Sequence, residues 1–503
     1  MSGQRVDVVT GPVRYRWVPL LLLVLLALVP VAALSALLVW SDNEADAHEQ
    51  AIESGQADPV TATPSSPPSP ALPTALLAYR RTPDYLEALG ADAQLADAME
   101  QLEFFVDERS CLAVSVDGRP VTAHNVDLPV IPASTHKLLV GSVALEMLGP
   151  EYRFTTTAVG PPAVDGVVDG NLFLVGGGDP LLVTSDFPTE GDSYPEFNTT
   201  SLDVLADLVA AAGVRAVTGS VLGDGTRYDD EFVNPAWGAG DAFVEAGPYD
   251  ALVVNDSRIL GRTSRQLDPN AAAASEFARL LRARGIQVGG SGSGAADPAL
   301  PVVASIESEP LTAIVAEMLT TSDDDTAEML LKELGVADSG EGTVAAGLNV
   351  VDRTLRTWGV PMQGVRLLDA SGLSPDNRLT CDALLAILQR VRGTAVQDGL
   401  AVAGRTGTLQ GQFTGTPMEG RLLGKTGTLD NPPDDLDPPA VKALAGYLPT
   451  EQAGTVEFVL VLNGPTMNDE EFFTPYWLAL SDRLATYPSG PDRATVGPVL
   501  VAD

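Results

Sequence analysis

The chain has 503 residues and a mass of 52.4 kDa, which at about 150 residues per domain predicts two to four domains. Its net charge of -37 argues against a protein that binds nucleic-acid phosphates, because such proteins present basic surfaces. Two Cys and three His also argue against zinc fingers, iron–sulfur proteins and multi-histidine metal enzymes, whereas a hydrophobic content of 45% suffices for folded cores.

The N-terminus carries an uncharged run of 23 residues, Val18–Trp40, which is long enough for a transmembrane helix. Arg14 and Arg16 precede this run and acidic residues follow it, so the positive-inside rule predicts a cytoplasmic tail over residues 1–17. The alternative is a signal peptide cleaved near Ala45–Ala47, although the run exceeds the usual apolar region of about 7–15 residues. Both interpretations place the bulk of the chain outside the cytoplasm, in the first case attached to the cell membrane.

A linker is predicted over residues 41–74, because its segment Asp58–Pro73 is rich in Pro, Ser and Thr and cannot build a core. It is either an extended spacer or a disordered joint without a role. Export also makes a disulfide between Cys111 and Cys381 chemically possible. Two buried free thiols are an equally supported alternative.

The elements predicted after the linker change in character along the chain. The first group consists of helix Ala75–Phe105, hairpin Cys111–Asn125, and a helix opened by Pro132 and ended by Gly149. The second group has short β-rich runs between Gly and Asp turns, with helices at Ser201–Ala212 and Ala271–Gly285.

The third group returns to helices and then turns to strands. Its elements are helices Leu311–Leu319, Ala327–Leu334, Thr343–Trp358 and Cys381–Val391, strands Gly424–Leu429, Lys442–Leu448 and Thr455–Asn463, and helix Phe472–Ala485. This order predicts an α/β domain over residues 75–152 and 305–503, split by inserted β-rich domains over residues 153–304.

Ser134 and Lys137 are the first candidates for chemistry, because residues three apart on a helix share a face. A Lys shielded from water can act as the base that activates a neighbouring Ser. The alternative is an ordinary helix start with Ser134 near the N-cap. His136 points about 200° away from Ser134 around the helix and is predicted to be a packing residue.

Lys425-Thr426-Gly427 lies in a predicted strand, whose edge can pair with an extended peptide while Gly427 permits close approach. Lys425 and the Thr426 hydroxyl are therefore candidates for binding a terminal carboxylate. A near-copy that carries an Arg, Arg405–Gly407, lies twenty positions earlier.

Ser322-Asp323-Asp324 is a third candidate, for which the alternative is a solvated helix start. From Ser134 to Ser322 there are 188 positions, and from Ser322 to Lys425 there are 103. Ser-x-x-Lys, then Ser-x-polar, then Lys-Thr-Gly is the motif order of penicillin-recognising serine acyltransferases.

From about Ala75 to its C-terminus, the chain resembles the D-alanyl-D-alanine carboxypeptidases of the class C low-molecular-mass penicillin-binding proteins. Beyond the three motifs, the matching segments are Gly170–Leu172, Gly177–Leu181, Asp369–Ser374, Asn377-Arg378, Gly404–Leu409, Gly415–Pro417 and Ala445–Tyr447. The resemblance implies a transpeptidase-like, β-lactamase-like α/β fold with a five-stranded antiparallel sheet. It also implies removal of the terminal D-Ala from peptidoglycan stem peptides, with cleavage of cross-links as a further activity.

The resemblance assigns roles to the motif residues. Ser134 matches the nucleophile that peptides and β-lactams acylate, Lys137 its general base, and Ser322 a hydroxyl that shuttles protons. Lys425, Thr426 and Gly427 match the strand that binds the substrate carboxylate. Thr428 matches the adjoining residue of the oxyanion hole. The backbone N–H groups of Ser134 and Thr428 would form the oxyanion hole. No metal or organic cofactor would be needed.

Two departures from the family pattern bear on activity. Asp324 stands where the family usually has Asn; an ionised Asp cannot donate to the substrate amide, and it would hold Lys137 in its protonated form, which is a poor base. The acidic segment Asp430–Ala440 replaces a tight turn and would lie at the end of the substrate cleft.

The alternatives to an active peptidase are a family member that binds cell-wall partners without acylation, and a serine β-lactamase, against which the large insertion argues.

Overall fold

A computed structural model of the protein describes residues 82–187, 196–238, 242–260, 264–431, 437–450 and 454–489. The predicted cytoplasmic tail, transmembrane run and linker lie outside these residues. Among the helices of the described ranges, none is long and apolar enough to cross a membrane.

The first described elements agree with those predicted from the sequence. They are helix α1 (Thr82–Glu103), strands β1 (Cys111–Val116) and β2 (Arg119–His124), a 3-10 turn (Ala133–His136) and helix α2 (Lys137–Leu148). Between β1 and β2, Asp117 and Gly118 adopt positive φ angles of 47° and 78°, a conformation that Gly and Asp tolerate better than most residues.

A second sheet follows α2. Its strands and helices are β3 (Thr155–Val159), β4 (Val167–Val168), β5 (Leu172–Val175), β6 (Leu182–Val183), β7 (Thr200–Ser201), α3 (Leu202–Ala211), β8 (Ala216–Asp224), α4 (Pro269–Ala283), β9 (Gln287–Ser293) and β10 (Val302–Glu307). Strand β8 is parallel to both β5 and β9. Because parallel neighbours need crossover connections, α3 and α4 serve that purpose and share an apolar core with the sheet.

The remaining elements complete the molecule. They are α5 (Leu311–Thr321), α6 (Asp324–Ser339), α7 (Val344–Thr357), α8 (Cys381–Val391), α9 (Ala395–Asp398), β11 (Ala401–Val402), β12 (Leu423–Leu429), β13 (Ala440–Thr450), β14 (Gly454–Gly464) and α10 (Glu470–Leu484). Helix α6 begins three residues before the predicted start, because the Asp323 carboxylate accepts from the backbone N–H groups of Asp325 and Thr326.

The main sheet is antiparallel, with strand order β11-β12-β13-β14-β1-β2. It has six strands where the resemblance implied five, and the extra one is β11, whose two residues are too few to show a periodic pattern. Alternate residues of β1 enter two cores: Ala113 packs with helices α2 and α5–α8, while Leu112 and Val114 pack with α1 and α10. Burial on both faces fixes the register of the strands.

The two cysteines form a disulfide. Cys111 opens β1 and Cys381 opens α8, with their Cα atoms 6.1 Å apart. Of the two alternatives that the sequence left open, the structure therefore has the bonded one.

Candidate active site

A tight turn places Ser134 at the start of α2. In this turn the Thr135 hydroxyl donates to the Pro132 carbonyl over 2.7 Å, and Ala133 adopts a φ of +47°. The Lys137 Nζ, one turn later, lies 2.9 Å from the Ser134 Oγ. The two residues that the sequence places on one helix face are thus in hydrogen-bond contact.

The Lys137 side chain is fully buried and has three hydrogen-bond acceptors. Besides the Ser134 Oγ, they are the Asp324 Oδ1 at 2.5 Å and the Ser371 carbonyl oxygen at 2.7 Å. Since an ammonium has three N–H donors, the charged form is completely satisfied. A neutral Lys137 would donate to Asp324 and Ser371 and accept the Ser134 proton, as a general base must.

Asp324 occupies the first position of α6 and lies directly at Lys137. Burial raises the pKa of the Asp324 carboxyl to about 6, while the positive charge of Lys137 opposes this rise. At neutral pH the carboxyl is therefore ionised and forms an ion pair with the Lys137 ammonium. The Asp that replaces the expected Asn is thus in contact with the lysine that is predicted to be the general base.

Ser322 and Lys425 form a second hydroxyl–amine pair. Ser322 ends α5 with a left-handed φ of +72°, and its Oγ lies 2.8 Å from the Lys425 Nζ, which also donates to the Thr426 carbonyl. Burial lowers the pKa of Lys425 well below its usual range, and the charge of Lys137 lowers it further. An anionic group that binds beside Lys425 would oppose this shift and favour the ammonium form.

Strand β12 lies against the turn that carries Ser134, at Gly427. A Cβ atom at Gly427 would stand only 2.8 Å from the Pro132 carbonyl oxygen and 3.2 Å from the Ala133 Cβ. Any larger residue would push the strand away from Ser134. The neighbouring Thr426 hydroxyl lies 2.8 Å from the hydroxyl of Thr408, which belongs to the Gly404–Leu409 segment.

A buried carboxyl group supports the Lys137 site from behind. The Glu328 Oε1 accepts from the backbone N–H groups of Ala370 at 2.9 Å and Ser371 at 2.8 Å. Burial, together with the nearby charge of Asp369, raises the pKa of Glu328 to about 8. Because the Ser371 carbonyl accepts from Lys137, Glu328 positions one of the three Lys137 acceptors. No local sequence pattern predicts this role for Glu328.

His136 is buried, and its Nδ1 lies 3.3 Å from the Ala370 carbonyl oxygen. Burial lowers the pKa of its imidazole, so the neutral ring is favoured. These contacts agree with the packing role predicted for His136.

These residues surround a cleft with a volume of about 470 Å³. Lys137 and Lys425 lie fully buried behind it, in contact with the hydroxyls that face it. The predicted residues that line the cleft are Ser134, Ser322, Asp324, Thr426 and Thr428. Lining residues that sequence reasoning missed include Glu245, Thr321, Leu373, Gln412, Lys442 and Trp477. Arg405 lies against Gly420 and does not line the described part of this cleft.

The sequence profile of the D-Ala-D-Ala carboxypeptidase 3 (S13) family matches residues 91–267 and 253–474. The chain belongs to this family. As a member, it is a serine-type D-Ala-D-Ala carboxypeptidase, and the predicted family is confirmed.

Curated relatives of the S13 family support this membership. The chain is 29% identical over 491 residues to a D-alanyl-D-alanine carboxypeptidase of Actinomadura sp., with coverage of 78% of this chain and 85% of the relative. It is 30% identical over 361 residues to carboxypeptidase DacB of Mycolicibacterium smegmatis, with coverage of 67% and 73%.

A solved structure shows the fold of this S13 member. Penicillin-binding protein 4 of Haemophilus influenzae superposes with a TM-score of 0.62 at 18% sequence identity, over 78% of this chain and 99% of that one. The predicted transpeptidase-like α/β fold class is thereby confirmed.

The acidic segment Asp430–Ala440 connects β12 to β13, and residues 432–436 within it lie outside the described residues. Asp430 lines the cleft. We expect that replacing residues 431–438 with Asn-Gly leaves the melting temperature unchanged and raises kcat/KM for anionic stem peptides relative to neutral ones, because negative charge at the cleft end repels them.

A variant of unchanged length separates charge from size in this experiment. Asp434, Asp435 and Asp437 are changed together to Asn, which should reproduce the gain for anionic peptides. Equal kinetics of all three proteins on neutral and anionic peptides would show that the segment does not act on substrate.

Proposed function

We propose that this S13 member removes the terminal D-Ala from peptidoglycan stem peptides through an acyl-enzyme on Ser134. The observation that carries the proposal is the pairing of two serines with two lysines at one cleft, Ser134 with Lys137 at 2.9 Å and Ser322 with Lys425 at 2.8 Å. Each buried amine is placed to take or give a proton at a hydroxyl that substrate can reach. β-Lactams acylate the same Ser134.

The reaction proceeds in two halves. Neutral Lys137 takes the Ser134 proton while the Oγ attacks the carbonyl carbon of the penultimate D-Ala, and the backbone N–H groups of Ser134 and Thr428 bind the oxyanion. The proton taken by Lys137 then passes through the Ser322 hydroxyl to the leaving nitrogen, the C–N bond breaks, and D-Ala departs. In the second half, water gives a proton to Lys137 and attacks the ester carbonyl. The C–O bond to Ser134 then breaks, the Oγ regains the proton from Lys137, and the shortened peptide leaves.

Release of D-Ala tests this proposal directly. The protein should release D-Ala from diacetyl-Lys-D-Ala-D-Ala but no alanine from the L-Ala-L-Ala isomer, and prior treatment with benzylpenicillin should block the release. If neither D-Ala release nor a penicillin adduct is detected, the binding-module alternative replaces the enzyme.

Lys425 and Thr426 bind the substrate carboxylate in this proposal. Lys425→Ala should raise KM by about tenfold or more, the loss expected for a hydrogen-bonded charge pair, because the substrate then faces no cation at that end. Arg405→Ala is the matched control and should leave KM near that of the wild type, since Arg405 lies away from the cleft lining. A larger KM increase for Arg405→Ala than for Lys425→Ala would reverse the assignment.

Cleavage of cross-links is a finer part of the proposal. The cleft is an open groove along β12, and an extended peptide with a branched leaving group is a reasonable substrate for it. A purified dimeric muropeptide, incubated with the protein and separated by chromatography, should yield two monomers. A protein that trims only the terminal D-Ala would leave the dimer intact.

We also propose that Val18–Trp40 anchors the chain in the cell membrane with its bulk outside the cytoplasm. The length of the run and the Arg residues before it support this. In membranes washed with alkaline carbonate, the full chain should stay in the pellet at its full mass. Recovery of a shorter, soluble protein that starts near Asp46 would identify a cleaved signal instead.

A further inference from the structure

Ion pairs link helix α6 to the described part of the connection between β8 and α4, residues 225–268. The pairs are Arg265 with Asp325, Asp229 with Lys332, and Arg227 with Glu333, and the α6 member of each is buried. Helix α6 also carries Asp324, which contacts Lys137. The connection therefore packs against a helix that forms part of the active site.

Arg265 contacts the first turn of α6. Its side chain is only 3% exposed, and its Nη1 donates to the Asp325 Oδ2 and, over 2.9 Å, to the Asp256 Oδ1. Asp325 directly follows Asp324, whose Oδ1 lies 2.5 Å from the Lys137 Nζ. The guanidinium thus binds the residue next to the carboxylate that contacts the predicted general base.

The same guanidinium also holds part of the cleft wall. Its Nη2 donates to the carbonyl oxygen of Glu245 over 3.1 Å, and Glu245 lines the cleft. The N–H of Gly247 donates to the Asp325 Oδ1 over 2.6 Å. Because the N–H groups of a guanidinium have fixed directions, Arg265 holds the cleft wall and the first turn of α6 in one arrangement.

The backbone that presents Asp256 to Arg265 is strained. Asn255, Asp256 and Ser257 have positive φ angles of 56°, 52° and 53°, which are uncommon for residues other than glycine. Such strain persists where the surrounding structure fixes the backbone, and the Asn255 Oδ1 accepts from the N–H of Thr184 over 2.8 Å. Asp256 is therefore a fixed anchor for the guanidinium.

We propose that Arg265 is a positioning residue for the reaction at Ser134, because its contact with Asp325 fixes the first turn of α6. This inference rests on the proposed function, in which Ser134 is acylated. Asp324 opens the turn and Ser322 precedes it by two residues, so both side chains move when the turn moves. A displacement of about 1 Å among reacting groups can lower a rate by about 10²-fold.

The limiting rate of acylation by benzylpenicillin, measured separately from the dissociation constant, tests this role. Arg265→Met should lower the limiting rate by about tenfold or more, because the groups that transfer protons lose their alignment. The dissociation constant should stay near that of the wild type, since strand β12 is held by its pairing with β11 and β13.

Arg227→Met is the matched control. It also leaves a buried carboxylate on α6 without its arginine, so a comparable loss of stability is expected. Its partner Glu333 lies nine residues after Asp324, about 13 Å further along the helix. Arg227→Met should therefore keep a limiting rate near that of the wild type, although its melting temperature falls.

A second variant separates position from charge. Asp325→Asn breaks the same ion pair but removes a negative charge near Lys137, whereas Arg265→Met removes a positive one. A purely electrostatic effect on Lys137 would change the limiting rate in opposite directions, while loss of positioning lowers it in both variants. If Arg265→Met does not fold, Asp325→Asn decides alone.

The role of Arg265 is overturned if Arg265→Met acylates as fast as the wild type, or if Arg227→Met loses as much rate. An unchanged or higher limiting rate in Asp325→Asn also overturns it. A wild type that forms no penicillin adduct overturns the proposed function itself.

Discussion

Ser134→Ala should abolish covalent labelling by a fluorescent penicillin, because in the proposed reaction the Oγ of Ser134 forms the ester bond. Ser322→Ala should only slow labelling, by roughly 10²–10⁴-fold, since its hydroxyl relays a proton and forms no bond to the acyl group. Both effects are read from the second-order rate of labelling and from the intact mass of the product. Either substitution removes one hydrogen bond to a lysine and introduces no larger side chain, so no steric clash arises and the fold should persist.

A matched serine on α2, the helix that follows Ser134, controls for nonspecific effects on this helix. The Ser142 Oγ donates to the Leu138 carbonyl at 2.6 Å and is buried within the helix packing. Ser142→Ala should therefore label at the wild-type rate. Equal labelling of Ser134→Ala and the wild type would refute the assignment of the nucleophile.

Asp324→Asn should accelerate acylation at neutral pH by about tenfold or more. The carboxylate lies 2.5 Å from the Lys137 Nζ, and a negative charge at this position opposes the use of Lys137 as a base. An Asn removes this charge and restores an amide donor for substrate. A tenfold gain corresponds to a barrier lower by about 1.4 kcal/mol, a modest electrostatic change for a contact this short.

The pH profile gives the sign of this effect. Because the Asp324 pKa is about 6, the carboxyl is ionised above that pH and opposes loss of the Lys137 proton. Wild-type acylation by benzylpenicillin should therefore rise from about pH 6 to about pH 9, while Asp324→Asn should reach its plateau at lower pH. Asp323→Asn is the control, since it caps α6 without contacting Lys137 in the described structure. Identical rates and profiles for Asp324→Asn and the wild type would remove Asp324 from the motif.

The contact between Ser134 and Lys137 was predicted correctly, because its geometry is local. Ser134 and Lys137 are three residues apart, and helix geometry alone brings their side chains together. Most helix and strand bounds followed from patterns of the same short range. Helix α6 was predicted to start too late because a run of three Asp resembles a solvated cap, whereas Asp323 caps the helix and Asp324 lies inside it.

The residues that sequence reasoning missed depend on long-range register. Lys442 faces Thr428 only because β12 and β13 pair as they do, and a shift by one residue would turn its side chain to the other face. Glu245 reaches the cleft from the segment that follows the second sheet's β8, far from Ser134 in sequence. The disulfide had two equal alternatives because no local pattern reports the distance between Cys111 and Cys381.

The Cys111–Cys381 bond closes a covalent ring of chain that contains the entire second sheet and both serines of the site, while Lys425 lies outside it. A protease that cuts one peptide bond within residues 112–380 would therefore open the ring without separating the molecule into pieces. Such a nicked protein should migrate as one band without reductant and as two bands with it. A penicillin label should then remain on the fragment that carries Ser134, so that damage to the exposed turns of the second sheet need not release half of the active site.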